Sequence, residues 1–191
     1  MDLNLNNITF IIVTYKSYKV IYNCIDSLPK NSNKIIIENS NNIKLKKDLE
    51  TNYDNIEVIM NENNGMGASN NIGIKKSKTQ YVYILNPDTT LKENTLENIF
   101  KSVKNLSDFA ILSPLHSKLD YPNYKIDSSS ENLDNDIIDV KSIDGFSMVI
   151  NKNKFKEDNF FDENFFLFLE NDDLCLRVKN NIQKIYIIKN A

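Results

Sequence analysis

The sequence predicts an α/β fold in which a mainly parallel sheet is flanked by helices in a single domain. Residues 8–13 and 81–85 are short, mainly apolar runs rich in β-branched and aromatic side chains, as in strands buried on both faces. Runs of this kind alternate with helical patterns over residues 8–112, which is the order of βαβ units. The length of 191 residues is that of one domain.

The first half of the chain supplies most of the elements. The predicted helix over residues 18–28 carries Val20, Cys24 and Leu28 on one face, and Pro29 follows it directly. The predicted strands of this half span residues 8–13, 34–38, 56–60, 81–85 and 109–112. The other predicted helices span residues 43–52, a stretch opened by residues 65–73, and residues 91–106.

The second half is less regular. Residues 116–139 are polar, and we expect a surface excursion that covers or flanks a site. A strand over residues 143–150 follows, then a short helix and an aromatic run. A helix near residues 172–180 and a strand over residues 184–188 complete the predicted order.

The charge, the cysteines and the length of the apolar runs limit which classes of protein the chain can belong to. The net charge is −3 and the pI near 5.3, and the most basic stretch is Lys75-Lys76-Ser77-Lys78, so we expect no nucleic-acid partner. Cys24 and Cys175 lie in apolar contexts and are expected to be core residues of a reducing compartment. The apolar run at residues 8–13 is too short for a signal or membrane span, which predicts a cytoplasmic location.

The junction after residues 81–85 is the most informative part of the chain. Pro87 cannot continue a strand ladder, so Asp88 is delivered at the carboxyl end of a central strand, where open α/β sheets bind ligands. A carboxylate beside the amide of Asn86 suits a hydrated divalent cation that carries phosphates. The pattern therefore predicts a metal–nucleotide site; an Asx-Pro turn without a ligand is the alternative.

Six motifs follow one another on the expected elements. They are Val13-Thr14-Tyr15, Glu38-Asn39-Ser40, the segment of residues 63–73, Asn86-Pro87-Asp88, Asp144-Gly145 and the segment of residues 165–177. In this order the chain resembles the family 2 glycosyltransferases, especially the rhamnosyltransferase-like branch, over nearly its whole length. The resemblance implies a GT-A-like fold, with residues 1–115 as the nucleotide-binding half and residues 116–191 as the acceptor and catalytic half.

The resemblance also implies an activity. It predicts that a sugar, rhamnose by analogy with the branch, passes from a UDP or dTDP donor to a glycan or lipid-linked acceptor in cell-surface polysaccharide synthesis. Transfer would proceed by direct displacement with inversion, and Mg²⁺ or Mn²⁺ held by Asp88 would carry the diphosphate. A degenerate nucleotide-sugar-binding or interaction module without turnover is the alternative. A nucleotidyltransferase is disfavoured because no glycine-rich basic loop follows Val13.

The resemblance, taken motif by motif, gives the residues that we expect to contact the nucleotide-sugar. They are Thr14, Tyr15, Glu38, Asn63, Gly65, Asn71, Asn86, Asp88, Asp144 and Gly145. Helix N-termini and glycines favour close approach to phosphate, but no Gly-Lys-Ser/Thr sequence follows, so a Walker-type ATPase is disfavoured. For Thr14 and Glu38 a simple capping role stays open.

The acids of residues 170–173 are the candidates for catalysis. In the family a carboxylate of this motif deprotonates the acceptor hydroxyl, and the resemblance assigns that role to Asp173, Glu170 or Asp172. Asn171 occupies the position that often supplies the base. An ordinary i, i+4 ion pair between Asp173 and Arg177 is the alternative for that acid.

One departure from the family pattern concerns the end of the sequence. Family members run on to a histidine that helps to hold the metal, whereas the single histidine here is His116, in the irregular segment. Two expectations stay open: either the sequence is truncated after a catalytic core, or the protein binds its donor weakly without that ligand. In the first case, residues beyond Ala191 would supply that histidine and peripheral attachment to the inner face of the membrane.

Overall fold

Strands and helices alternate along most of the chain in the computed structural model. It describes residues 3–104, 106, 108–117, 120–128, 130, 132, 136–156 and 159–191. The strands are β1 (Ile8–Thr14), β2 (Asn33–Glu38), β3 (Ile56–Met60), β4 (Tyr81–Leu85), β5 (Ile111–Pro114), β6 (Tyr124–Lys125), β7 (Ile137–Asp139), β8 (Ser142–Ile143), β9 (Ser147–Asn151) and β10 (Ile185–Ile188). The α-helices are α1 (Ile21–Asp26), α2 (Ile43–Asn52), α3 (Met66–Lys76), α4 (Thr95–Val103) and α5 (Glu170–Asn180), and a 3₁₀ turn spans Lys152–Lys154.

The main sheet has the strand order β3-β2-β1-β4-β9-β5-β10-β7. The pairs β1–β2, β2–β3, β1–β4 and β5–β10 are parallel, whereas β9 and β7 run antiparallel to their neighbours. Strands β6 and β8 form a separate antiparallel pair. The prediction of a mainly parallel sheet flanked by helices is therefore confirmed.

Two apolar layers cover the sheet because successive strand residues point to opposite faces. Phe10 and Ile12 of β1 pack in a cluster with buried residues of α1, α2 and α4, whereas Ile11 packs with α3 and α5. Strands β1, β4 and β10 are buried along their whole length, which explains their uninterrupted apolar sequences. Cys24 and Cys175 are free, buried thiols, as predicted.

Several boundaries differ from the predicted ones. Helix α1 is shorter than residues 18–28 because its entry is a turn in which the Ser17 carbonyl accepts from the N–H groups of Val20 and Ile21. Helix α4 is likewise shorter than residues 91–106, of which residue 105 lies outside the described part. Helix α5 begins at Glu170, ahead of the predicted residue 172, and β5 begins at Ile111 and ends at Pro114, two residues beyond its predicted bounds.

The predicted strand over residues 143–150 is wrong as a single element. It breaks at Asp144, Gly145 and Phe146 into β8, which pairs with β6, and β9, which enters the main sheet. Two backbone hydrogen bonds to residues outside these strands fix the interruption in place. Asp144 N–H donates to the Asn123 carbonyl, and the Phe146 carbonyl accepts from Asn86 N–H, each at 2.9 Å. The break is thereby tied to the loop that follows β4.

The carboxyl ends of β1, β2 and β4 lie at one edge of the sheet, as parallel pairing requires. Two short strands, β6 and β7, interrupt the predicted excursion over residues 116–139, of which residues 118–119, 129, 131 and 133–135 lie outside the described part. No helix within the described residues combines the length and apolarity needed to cross a membrane.

Candidate functional site

A cavity of about 400 Å³ opens at the carboxyl edge, between the ends of β1 and β4 and the start of α3. Five of the predicted ligand residues line it together: Tyr15, Asn63, Gly65, Asn86 and Asp88. Its remaining walls come from residues outside the predicted ligand set, namely Val13, Ser17, Val20, Asn39, Met66, Pro87, Phe166 and Leu167. Five of the six motifs thus contribute residues to this cavity, which is mostly apolar on its flanks and polar at Asn86–Asp88, whereas Asp144–Gly145 does not line it.

Hydrogen bonds to the backbone groups of Asn86 hold the loop that follows β4 in place. Asn86 N–H donates to the Phe146 carbonyl at 2.9 Å, and the Asn86 carbonyl accepts from Thr89 N–H at 3.0 Å. The Cys24 thiol donates to the same carbonyl at 3.6 Å. Burial, and secondarily the charge of Asp88, raises the pKa of Cys24 to about 12, so this thiol stays protonated beneath the loop. The Asp88 carboxylate is left exposed.

A second cavity of about 380 Å³ lies on the other side of Asp88. It shares Asn86 and Asp88 with the first cavity, and His116, Ser117, Phe146 and Lys92 are among its other walls. The His116 ring meets the Phe146 ring edge-on, with centroids 5.4 Å apart. The sequence placed His116 in an irregular segment without a motif, and only the tertiary fold brings it to this cavity.

Gly65 determines how α3 enters the site. Its φ is +103°, a backbone conformation that favours glycine. A Cβ at this position would lie 2.8 Å from the Phe166 Cα and closer still to the Phe166 carbonyl. Met66 N–H donates to that carbonyl at 2.9 Å, which ties the first turn of α3 to the segment before α5. The glycine is therefore required for the close approach of two cavity walls.

Thr14 and Glu38 end β1 and β2 at the predicted edge, but both are fully buried and neither lines the cavity. The Glu38 carboxylate accepts from Ser40 Oγ, from Ser40 N–H at 3.1 Å and from Asn42 N–H at 2.7 Å. These hydrogen bonds match the capping role that the sequence left open for Glu38. Thr14 Oγ1 has no hydrogen-bond partner within the described part of the chain. A nucleobase contact by either residue stays a prediction.

Asn39, the residue after Glu38, lines the cavity instead. Its Nδ2 donates to Ser69 Oγ at 2.7 Å, and Ser69 Oγ in turn donates to the Gly65 carbonyl at 2.7 Å. Its Oδ1 accepts from Asn61 Nδ2 at 2.9 Å. Asn39 thus joins the end of β2 to the start of α3, and its position after a predicted buried strand was the signal available in the sequence.

Asn71 is buried away from the cavity. Its Nδ2 donates to the Phe161 carbonyl at 2.8 Å and to Glu163 Oε1 at 2.9 Å, and its Oδ1 accepts from Phe161 N–H at 3.0 Å. The amide is fully engaged in holding α3 against residues 161–163. Its predicted contact with the nucleotide is untested.

The acids at the start of α5 face different neighbours. Asp173 is ion-paired with Arg177 at 2.8 Å, and the guanidinium also donates to the carbonyls of Asn159 and Phe160. Asp172 is ion-paired with Lys125 of β6 at 3.0 Å. Glu170 is buried against Gly67 of α3, and its Oε2 has no hydrogen-bond partner within the described residues.

Asn171 and the Asp144–Gly145 turn pack directly together. Asn171 Nδ2 donates to the Ile143 carbonyl at 2.9 Å, and a Cβ at Gly145 would lie 3.3 Å from the Asn171 Cβ. Burial raises the pKa of the Asp144 carboxyl, and the charge of Asp172 adds to the rise, whereas Lys125 and His116 oppose it. The predicted Asp144–Gly145 pair therefore lies against the predicted catalytic segment.

The donor set at Asp88 fits a divalent cation that arrives with phosphates. No group of three or more His, Cys, Asp or Glu side chains within the described residues forms a closed metal cage. Mg²⁺ sites in phosphate enzymes use one or two carboxylates, and water and substrate phosphate complete the shell. An exposed Asp88 beside Asn86, between two open cavities, meets that requirement.

The sequence also matches a known protein family. A family model described as "Glycosyl transferase family 2" matches residues 9–175. A curated relative is the low-salt glycan biosynthesis hexosyltransferase Agl10 of Haloferax volcanii. It is 23% identical over 194 residues, which cover 92% of this chain and 62% of the relative.

Solved structures show the same fold at low sequence identity. GalNAc-T7 with UDP, GalNAc and Mn²⁺ superposes with a TM-score of 0.77 and 15% identity over 95% of this chain and 41% of that one. S. aureus TarS 1-349 in complex with UDP-GlcNAc gives 0.73 and 16% over 97% of this chain and 56% of that one. These likenesses establish a GT-A-like fold. The chain spans less than two thirds of the length of each of these relatives.

Proposed function

Because the chain belongs to glycosyl transferase family 2, we propose that it transfers a hexose from a UDP- or dTDP-sugar to a glycan or lipid-linked acceptor in cell-surface polysaccharide synthesis. The observation that carries this proposal is the position of Asp88. Its carboxylate stands exposed at the end of β4, between two cavities that together could hold a nucleotide and a sugar. Ligands of open α/β sheets bind at this edge.

The cavity beside Tyr15 suits the nucleoside. Its apolar walls include Val20, Met66 and Phe166, and Asn39 and Asn63 supply polar groups that can meet a base or ribose. The exposed Tyr15 ring offers a surface for stacking a base. The diphosphate would then lie over Asn86–Asp88, and the sugar would extend into the second cavity.

Asp88 would hold the Mg²⁺ or Mn²⁺ that accompanies the diphosphate. A bound cation neutralises charge that develops on the leaving nucleoside diphosphate. The chain's own contribution is to aim the carboxylate, through the bonds that Asn86 makes to Phe146 and Thr89. GalNAc-T7, which shares the fold, was crystallised with Mn²⁺ together with UDP, and this supports the same requirement here.

We further propose that transfer inverts the anomeric centre in a single displacement. The acceptor hydroxyl attacks the anomeric carbon while the bond to the diphosphate breaks, and a carboxylate takes the hydroxyl proton. The acids near the turn of Asp144 and the start of α5 are the candidates for this carboxylate. Rhamnose is the sugar that the motif resemblance favours, and the names of the relatives specify a hexosyltransferase and UDP-GlcNAc for those proteins alone.

A binding module without turnover is the second candidate. The amide of Asn171 stands where the family motif places an acid, and it is used in a bond to the Ile143 carbonyl. Such a module would bind the donor and fail to consume it.

The experiment that separates the two is a donor-consumption assay with water as acceptor. UDP-glucose, UDP-galactose, UDP-GlcNAc and dTDP-rhamnose are each incubated with the protein and Mn²⁺, and released nucleoside diphosphate is measured. Enzymatic release, with inverted configuration of the free sugar in early proton NMR spectra, supports the transferase. Binding of a donor with no release above the uncatalysed rate supports the module.

A further inference from the structure

We propose that Asp144 is the general base that deprotonates the acceptor hydroxyl, an inference that rests on the transfer reaction proposed above. The motif resemblance assigned this role to the acids of α5 and placed Asp144 at the donor sugar. The contacts of the described residues favour the turn between β8 and β9 instead.

Each acid of α5 has a competing role. Asp173 is held by Arg177, which also donates to the carbonyls of Asn159 and Phe160 and so faces residues 159–160. Glu170 is only 8% exposed and lies against α3, where an acceptor hydroxyl has no access. Asp172 accepts hydrogen bonds from Lys125 Nζ at both carboxylate oxygens, at 3.0 and 3.1 Å.

Asp144 differs from these acids in exposure and in pairing. It is exposed, and it forms no ion pair with any residue that the structure describes. Its backbone is nevertheless fixed, because its N–H donates to the Asn123 carbonyl at 2.9 Å. A carboxylate that is accessible and held in place by its backbone meets the geometric demands on a base.

The turn that contains Asp144 contacts both the start of α5 and the loop that follows β4. On one side Asn171 donates to the Ile143 carbonyl and packs against Gly145. On the other side the Phe146 carbonyl accepts from Asn86 N–H, and the Phe146 ring lines the cavity that contains Asp88. Asp144 therefore lies between the start of α5, where the family motif places the base, and the loop that presents Asp88.

The charged groups that face Asp144 come from three elements. They are Lys125 of β6, Asp172 of α5 and His116 of the segment after β5. Partial burial of the Asp144 carboxyl raises its pKa, Asp172 adds to the rise, and Lys125 and His116 counter it. A carboxylate with a raised pKa holds the transferred proton more strongly than an ordinary surface aspartate does.

In the proposed step, proton transfer to Asp144 accompanies displacement at the anomeric carbon. The Asp144 carboxylate takes the proton of the acceptor O–H, and the oxygen electron pair forms the bond to the anomeric carbon. The bond from that carbon to the diphosphate oxygen breaks, and the nucleoside diphosphate leaves with the electron pair. The proton then passes from Asp144 to water.

The test compares Asp144→Asn with wild type and with Asp54→Asn, an exposed acid in the turn before β3, far from the carboxyl edge. Nucleoside diphosphate release from the donors named above is measured with Mn²⁺, together with calorimetric donor affinity. We expect Asp144→Asn to lower release by ~10²–10⁴-fold with donor affinity changed less than about threefold. Asp54→Asn should behave as wild type in both measurements.

A second measurement follows the Asp144 carboxyl directly by ¹³C NMR during a pH titration. The wild-type pKa of Asp144 should lie above the ordinary value of an aspartate, rise in Lys125→Met and fall in Asp172→Asn. The midpoint of the pH–rate profile should move in the same directions, which a purely structural role for Asp144 would not produce.

The outcomes separate the two proposals. Retained release in Asp144→Asn, with loss in Asp172→Asn or Glu170→Gln, would overturn the assignment of the base and leave the transferase intact. A pKa of Asp144 at or below the ordinary value of an aspartate would also overturn it. Failure of wild type to bind any donor would instead contradict the proposed function.

Discussion

Asn71 and Phe161 are joined by two hydrogen bonds across ninety positions of sequence: Asn71 Nδ2 donates to the Phe161 carbonyl at 2.8 Å and Phe161 N–H donates to Asn71 Oδ1 at 3.0 Å. A side-chain amide here satisfies both backbone groups of a buried residue, as a neighbouring strand would. The pair holds α3 against the segment that leads to α5, and through it the start of α3 keeps its place beside the cavity.

Replacing Asn71 with Ala should therefore destabilise the fold. Both backbone groups of Phe161 would lose their partner, and the free energy of unfolding should fall by about 2–4 kcal/mol. Urea denaturation followed by circular dichroism measures this change. Asn52→Ala is the matched control, since Asn52 is exposed and its amide donates only to the Asp48 carbonyl one turn earlier. An unchanged free energy of unfolding with weakened nucleotide binding would show that Asn71 is a ligand residue.

Gly65→Ala should disturb the site more than Gly145→Ala. The new Cβ at Gly65 meets the Phe166 backbone at a φ of +103°, whereas a Cβ at Gly145 meets the Asn171 side chain at 3.3 Å. We expect Gly65→Ala to lower stability by about 1–3 kcal/mol. It should also weaken UDP binding because the start of α3 and the Phe166 segment are forced apart. Thermal unfolding and calorimetry check both effects; equal behaviour of the two variants would contradict the close approach at Gly65.

Asn171→Asp tests the binding-module alternative. An aspartate cannot donate to the Ile143 carbonyl, and its carboxylate would face that oxygen, so we expect a stability loss of about 1–3 kcal/mol. If Asp144 is the base, the new acid should not raise the rate of nucleoside diphosphate release. A rate increase of tenfold or more would instead show that the chain lacks its base and that position 171 is the natural place for it.

The two thiols should be inert in the native protein. Burial raises the pKa of Cys24 and of Cys175 to about 12, so the thiolate is scarce at pH 8. Titration with Ellman's reagent should detect no fast-reacting thiol in the folded chain and two thiols after unfolding in guanidinium chloride. Rapid labelling of Cys24 in the native state would show that the loop of Asn86 opens readily, since that thiol lies beneath the Asn86 carbonyl.

The elements that depend on residue type and spacing along the chain could be predicted from the sequence. The buried strands β1 and β4 and the break at Pro87 follow from residue type and spacing, and they place Asp88 correctly at the sheet edge. Tyr15, Asn63 and Gly65 were also found at the cavity, because residues that follow parallel strands or open a helix share that edge.

Features that depend on tertiary pairing were missed. The segment of residues 143–150 was predicted as one strand, and only the backbone hydrogen bonds to Asn123 and Asn86 show why it divides. Glu38 ends a strand as expected, and its carboxylate takes the capping role that the sequence left open by accepting from Asn42 N–H, but only the fold decides between that role and a ligand contact. The position of His116 in the cavity that Asp88 also lines depends on how residues after β5 return to the sheet edge, which no local pattern encodes.

The most direct test of the central claim is calorimetric titration of wild type and Asp88→Asn with UDP and dTDP, each with and without Mn²⁺. The claim is that the carboxyl edge binds a nucleoside diphosphate through a cation held by Asp88. It predicts metal-dependent binding of at least one nucleotide to wild type and its loss in Asp88→Asn, with an unchanged circular dichroism spectrum. Equal affinity of the two proteins, or no binding of either nucleotide to wild type, would contradict it.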